Sequence, residues 1–485
     1  MKKWIALCGA VLALGLLTAC SQMGRDASLP RLDPQNPVSL EIWHYYNGPQ
    51  KTAFDTMVTE FNETVGLEQG IVVEAFSQGS VNELAAKIAD SAAQKVGSEE
   101  LPNIFAAYAD TAFLVDGLGL LADLDPYLTD EAWSGYRAEF IEEGRIRADG
   151  GLKIFPVAKS VELLMLNRTD WDKFSSATGA QLSDLETFEG ITATARAYYA
   201  WTDSLTDAPD DGKAFFGRDA MANYCIIGSR QLGAEVFGDG TLVPDKDVFR
   251  RLWDNYYVPY INGWFTASGR FRSDSARMGD IVALVGSSSG SIYFPSAVSV
   301  SDSESYRITC TVLPAPIFAG GKRYAVQQGA GMCVIKSDSA TEYAASLFLK
   351  WFTEPERNVA FAVSSGYLPV QNAALDPDLI DAALDQSALE PGVAVRMKEA
   401  FAAALEQISV STLYTTQAFE GGNACRAVLE TSMSQQAETD RQAIDALVAG
   451  GLSRAEAVAG YDTDEHFDAW FSQFCIELEA ARSAS

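Results

Sequence analysis

Five consecutive residues, Trp43-His44-Tyr45-Tyr46-Asn47, combine flat apolar faces with hydrogen-bonding tips. That mixture suits a polyol or a sugar, whose C–H faces stack on rings while its hydroxyls pair with polar groups. Packing of the rings along a strand edge is the structural alternative, and a tyrosine-rich iron(III) site is a further reading of Tyr45-Tyr46. A second run, Gly286-Ser287-Ser288-Ser289-Gly290-Ser291, follows an apolar stretch over residues 281–285. Glycines there permit close backbone approach, and hydroxyls with N–H groups at a helix start can hold a hydroxylated or anionic ligand. A plain surface loop is the other reading. Gln327-Gln328-Gly329-Ala330-Gly331 repeats the theme more weakly.

Other chemistry is poorly supplied. The chain has two histidines, His44 and His466, and no GxSxG, HExxH or P-loop pattern. His466 sits among acidic and aromatic residues and reads as a solvated side chain on a surface helix. Five cysteines follow the first 20 residues: Cys225, Cys310, Cys333, Cys425 and Cys475. They form no CxxC pair and have no histidine nearby, so zinc is disfavoured, and buried free thiols are expected. No metal or cofactor is expected. Paired carboxylates acting on a glycosidic bond remain the enzymatic alternative, because 65 Asp and Glu offer many pairs and sequence gives no distance between them.

The elements that must position these residues begin after a leader. Lys2 and Lys3 precede an apolar run, and Leu17-Thr18-Ala19-Cys20 places small residues before a cysteine. This pattern predicts a lipoprotein signal over 1–20, lipidation at Cys20 and an extracytoplasmic protein held to the bacterial cell membrane by lipid alone. Residues 21–37, with three prolines, read as a flexible tether. The net charge is −29, and −31 once Lys2 and Lys3 leave with the signal, which repels nucleic acid and anionic head groups.

From residue 39 the pattern reads strand, helix, strand, helix, strand. Phe54, Met57, Val58 and Phe61 recur at helical spacing, 71–76 is β-branched, and 103–106 is strand-like. A βαβαβ order implies parallel strands, with ligand loops beyond their carboxyl ends at 44–47, 77–80 and 108–111. Residues 152–157 and 160–166 read as further strands, with 158–160 as the first passage into a second lobe and 308–313 and 330–335 returning to the first. The expected division is lobe 1 over 38–157 plus 308–350 and lobe 2 over 158–307 plus 351–485, the latter ending in a helical extension. Each lobe is expected to be an α/β unit with a mostly parallel sheet, and a cleft between lobes suits capture by domain closure.

The Ile42-Trp43-His44 opening, Leu101-Pro102-Asn103-Ile104-Phe105, Ile154-Phe155-Pro156 followed by Glu162-Leu163-Leu164-Met165-Leu166-Asn167, the 286–291 loop and Ser365-Gly366-Tyr367-Leu368-Pro369-Val370 resemble, in this order, the family 1 extracellular solute-binding proteins of ABC importers. The look is nearest to sugar and glycerol-3-phosphate binders. The resemblance implies a two-lobed periplasmic-binding-protein-like (type II) clamp, monomeric and non-catalytic, that captures a carbohydrate or polyol and delivers it to the transmembrane subunits of an ABC permease. It places cleft positions at Tyr45, Tyr108, Ser160, Ser288, Ser289, Gly329 and Tyr367, with Asp110, Arg218 and Tyr414 as further ligand candidates. Glu162 lies on the crossover strand and can be structural. Departures bear on the ligand: Ala109 follows Tyr108 where a glutamate is usual, and 411–417 lacks the arginine that would hold phosphate. A neutral sugar is therefore favoured, with Arg218 and Arg426 the candidates for phosphate otherwise.

Overall fold

The computed structural model describes residues 29–147, 150–238 and 241–483. The leader, Cys20 and the first part of the expected tether lie outside the described residues.

The first lobe starts with β1 (Val38–His44), α1 (Gly48–Glu63), β2 (Ile71–Ser77), α2 (Val81–Ala92), β3 (Ile104–Ala107) and α3 (Ala109–Gly117). β1 buries Leu40 and Ile42, and α1 buries Phe54, Met57, Val58 and Phe61 against it, as the helical spacing predicts. Ser80 and Glu83 close a capping box that fixes the start of α2. β1 lies between β2 and β3 and runs parallel to both, so the predicted βαβαβ unit is formed. At its opposite end the chain enters through a tight contact: the Val38 amide donates to the Gly70 carbonyl. Gly70 has φ +75°, and a Cβ there would stand 2.5 Å from the Asp33 carbonyl oxygen, so glycine is required.

Beyond α4 (Ala138–Gly144), residues 152–157 run extended, with one bridge from Phe155 to Met332 rather than a full strand. The second lobe then forms around β4 (Glu162–Asn167), β5 (Phe216–Arg218), α5 (Met221–Gln231), β6 (Ala283–Ser287) and β7 (Cys310–Pro314). Its strand order is β7-β4-β6-β5. β4 is antiparallel to both β7 and β6, and only β5 and β6 are parallel, which corrects the expectation of a mostly parallel sheet in this lobe. All six residues of β4 are buried, and such a doubly covered strand reads the same in either direction.

Next come β8 (Tyr324–Val326), β9 (Gly331–Val334), α6 (Ser339–Phe352), α7 (Pro355–Ser365), α8 (Pro391–Val410), β10 (Thr412–Tyr414), α9 (Gly422–Ala449) and α10 (Asp464–Ser483). β9 completes the first sheet by pairing antiparallel with β3. β7 does not return there, since residues 310–314 pair with β4 in the second sheet. The expected lobe boundary at 351 also shifts: Phe352 and Phe361 pack on Phe54 of α1, with ring centroids 5.4 and 6.3 Å apart, so α7 belongs with the first sheet. Strand pairing decides the first point and aromatic packing the second, each between segments far apart in sequence that no local pattern links.

Leu163 and Met165 on one face of β4 join the core that includes Ala400, Ala404 and Ile408 of α8, while Leu164 and Leu166 on the other face join the core built on Trp171 and Phe174. The alternation of β4 thus seats α8 against one face and the helical body of the second lobe against the other. α9 and α10 extend that body. All five described cysteines are free; Cys225, Cys333 and Cys425 are buried, whereas Cys310 and Cys475 are half-buried. His466 is not simply solvated, because its Nε2 lies 2.7 Å from Oδ2 of the buried Asp440.

Candidate functional site: the interlobe tyrosine cluster

The passage between lobes is built from paired backbone. The Lys159 amide donates to the Leu368 carbonyl at 3.0 Å, and Ser160 and Gln328 exchange two bonds of 2.9 Å. Gly329 has φ +94°, and a Cβ there would stand 2.5 Å from the Ala158 carbonyl oxygen, so the crossing strands meet too closely for any side chain. Lys159 lies inside this junction, 2% exposed, paired with Glu143 at 7% exposure. Its ammonium also donates to the Gly329 carbonyl at 3.0 Å, and Gln327 Nε2 donates to the same Glu143 carboxylate.

Three tyrosines converge beside it. Tyr45 follows the carboxyl end of β1, Tyr108 caps the start of α3, and Tyr367 follows the Gly366 turn that ends α7. The Tyr45 and Tyr367 hydroxyls are 3.3 Å apart. Tyr108 faces Tyr45 and the Gly329 backbone, and burial raises the pKa values of all three phenols, so they stand as neutral donors and acceptors. Tyr367 also meets the Ser289 side chain, and the Ser289 backbone packs on Gly366. Ser289 is the second residue of the short 3₁₀ turn after β6, so this contact crosses from one lobe to the other.

On the side of the second lobe, Arg218 of β5 donates to both Glu162 carboxylate oxygens, at 3.1 and 3.2 Å. Asn223 of α5 donates to Glu162 at 3.1 Å and accepts from Arg426 of α9. Asp110, in the first turn of α3, has its pKa raised by burial, with Arg426 opposing that rise. The Cβ position of Gly422 is 2.9 Å from the Asp110 carboxylate, so α9 abuts α3 at this point. Cations and carboxylates here are balanced, and the ring surface comes from the first lobe.

The chain matches the family described as bacterial extracellular solute-binding protein over residues 56–385. This chain is a member of that family. Membership assigns the solute-binding protein to capture rather than to catalysis. No curated protein sequence matches it. Among solved structures it is similar to the cyclic α-maltosyl-1,6-maltose binding protein of Arthrobacter globiformis, at 16% identity and TM-score 0.64, covering 93% of this chain and 100% of that one. UgpB of Mycobacterium tuberculosis, solved in complex with glycerophosphocholine, gives 16% identity and TM-score 0.63 over 92% and 99% of the two chains. The maltose/maltodextrin-binding domain MalE of Bdellovibrio bacteriovorus, bound to maltotriose, gives 14% and 0.59 over 90% and 99%. These likenesses establish the two-lobed type II fold.

Of the residues singled out from sequence, the solute-binding protein brings together Tyr45, Tyr108, Tyr367, Ser289 and Gly329. Ser160 and Ser288 lie in the adjoining wall, where the Ser288 amide donates to the Val161 carbonyl at 2.7 Å. Asp110, Arg218 and Arg426 form the charged flank. Tyr414 stands apart, its ring 4.4 Å from the Arg230 guanidinium carbon. Sequence reasoning missed Lys159, Glu143, Asn223 and Gln327. A lysine inside the apolar run 154–166 was the signal for the first of them, since an unpaired ammonium is not tolerated in such a setting.

Proposed function

We propose that this protein captures a neutral carbohydrate or polyol between its lobes and hands it to an ABC permease. The observation that carries the reading is the tyrosine cluster, whose neutral hydroxyls meet Ser289 across the lobe boundary. Rings stack on sugar C–H faces, and buried hydroxyls left without partners would cost about 1–3 kcal/mol each, so a hydroxylated guest fits the site. Phosphate is disfavoured, because Arg218 is already held by Glu162, and Asp110 stands beside Arg426. Two of the similar structures bind malto-saccharides and support the same class, whereas UgpB is solved with glycerophosphocholine. Hinge closure about the 158–160 and 328–329 crossings is the working motion.

Calorimetry tests the ligand. Tyr367→Ala is expected to weaken sugar binding at least about tenfold, with far-UV circular dichroism unchanged, since it removes one stacking face and one hydroxyl. Unchanged affinity removes Tyr367 from the site, and tighter binding of glycerol 3-phosphate than of any neutral sugar overturns the ligand class.

The location is part of the same proposal. Among the described residues no helix is long and apolar enough to cross a membrane, and we assign attachment to a lipid on Cys20. Cys20→Ala is expected to move the protein from the membrane pellet to the soluble extracytoplasmic fraction. Retention in the pellet would sink this assignment.

A further inference from the structure

Among the described residues, the two crossing strands are pinned to each other by one bridge, the pair of bonds that Ser160 and Gln328 exchange. A single bridge keeps two chains together and leaves rotation about its own axis open, as a hinge requires. Something else must set the angle.

Side-chain bonds to α4 are placed to do so. This helix belongs to the first lobe, where Phe140 and Ile141 join the core that holds Leu40 and Ile42. Its Glu143 receives the Lys159 ammonium from one crossing and the Gln327 side-chain amide from the other. Lys159 also donates to the Gly329 carbonyl at 3.0 Å, and Gln327 Nε2 donates to the Glu139 carbonyl at 3.2 Å, one turn earlier in α4. The backbone amide of Gln327 donates to the Tyr414 carbonyl at 2.9 Å, so the stretch leading from β10 to α9 is tied to the same residue. Both crossings are thus held to one helix by bonds of fixed direction.

Stability alone does not account for this arrangement. Taking an ammonium and a carboxylate out of water is costly, and well-packed apolar residues of similar volume often serve stability as well or better. Apolar contacts have no direction, however, and would let the strands turn past each other. The ion pair and the amide add geometry. Gly329, held at its carbonyl by Lys159, turns its backbone toward Tyr108, so the hold extends to the tyrosine cluster.

We infer that Glu143, Lys159 and Gln327 are positioning residues for capture: they clamp both interlobe crossings to α4 and hold the lobes near the angle at which Ser289 meets Tyr367. They act through the strands. Loss of the clamp spreads the lobes over a wider range of angles, which lowers the fraction of molecules competent to bind and raises the apparent Kd by the same factor. This rests on the capture reading above.

Lys159→Met combined with Glu143→Gln removes both charges and strands neither, which separates the clamp from the penalty of an unpaired buried ion. In hydrogen exchange without ligand, the amides of Lys159, Ser160 and Gln328 in this variant are expected to exchange at least about tenfold faster than in the parent, while those of β1 and α1 keep their protection. In calorimetry with maltotriose, glucose and xylose, the Kd of each sugar that the parent binds is expected to rise about fivefold or more. Should the double variant fail to fold, Gln327→Leu, which strands no charge, is expected to speed exchange at the same amides about threefold. Exchange at the crossings equal to the parent's, or a rise shared by every strand, reduces the three residues to ordinary structural support and overturns the inference. An unchanged Kd in the double variant overturns it as well. A parent that binds none of the three sugars counts against the carbohydrate reading instead, and the exchange pattern then decides the clamp by itself.

Discussion

Replacing Lys159 with methionine is expected to lower unfolding stability by about 3–5 kcal/mol, because it strands the Glu143 carboxylate inside the lobe junction. The pair is buried on both sides, and Gln327 alone cannot substitute for an ammonium as the partner of that carboxylate. The lost bond to the Gly329 carbonyl adds to the penalty at the point where the crossing strands touch. Urea unfolding measures the effect, and the companion variant carrying both Lys159→Met and Glu143→Gln should recover much of it, since no charge is then left without a counter-ion. A loss under about 1 kcal/mol in the single variant would mean that the carboxylate reaches water, and that the junction is more open than described.

Acid should destabilise the protein through His44. Its side chain is fully buried between Tyr46 and Phe54, its Nδ1 accepts the Tyr46 amide at 3.1 Å, and its Nε2 has no partner. Burial holds its pKa down at about 4, against a small rise from Asp55 and a further lowering from Lys51. The unfolded chain binds this proton near pH 6.5, so between 6.5 and 4 the unfolded state carries more protons than the folded one. Stability from this group is therefore complete above about pH 6.5 and is lost as pH falls toward 4, by up to about 3 kcal/mol. His44→Asn keeps an acceptor for the Tyr46 amide and cannot titrate. Its stability deficit against the parent, measured by urea unfolding at each pH, should shrink by about 3 kcal/mol from pH 7 to pH 4. A deficit that stays constant over that interval would show that His44 can be protonated in place.

Much of the first lobe is readable along the chain because its information is local. Helical spacing at Phe54, Met57, Val58 and Phe61 and the capping pair Ser80 and Glu83 specify elements from within a few residues, and β1, β2 and β3 join through short crossovers. The second lobe is less readable, since its sheet is assembled from strands as distant as β4 and β7, and direction and partner are properties of the pair. The same distinction governs the site. Tyr45 and Tyr108 announce themselves at strand ends, whereas the partnership of Tyr367 with Ser289, or of Arg218 with Glu162, exists only after closure of the fold. Tyr414 is named from the resemblance alone: the strand β10 that ends on it, and its face toward Arg230, depend on β8 and on α5, the latter nearly 190 residues earlier.

The clasp between Val38 and Gly70 has a mechanical outcome. It fixes the polypeptide's point of entry at the amino ends of β1 and β2, seven residues of extended chain below the tyrosines, or about 20 Å. The stretch that precedes β1 therefore meets the first lobe at its floor, on the side away from the tyrosines, and tension applied there pulls on a hydrogen-bonded strand end without prying the jaws apart.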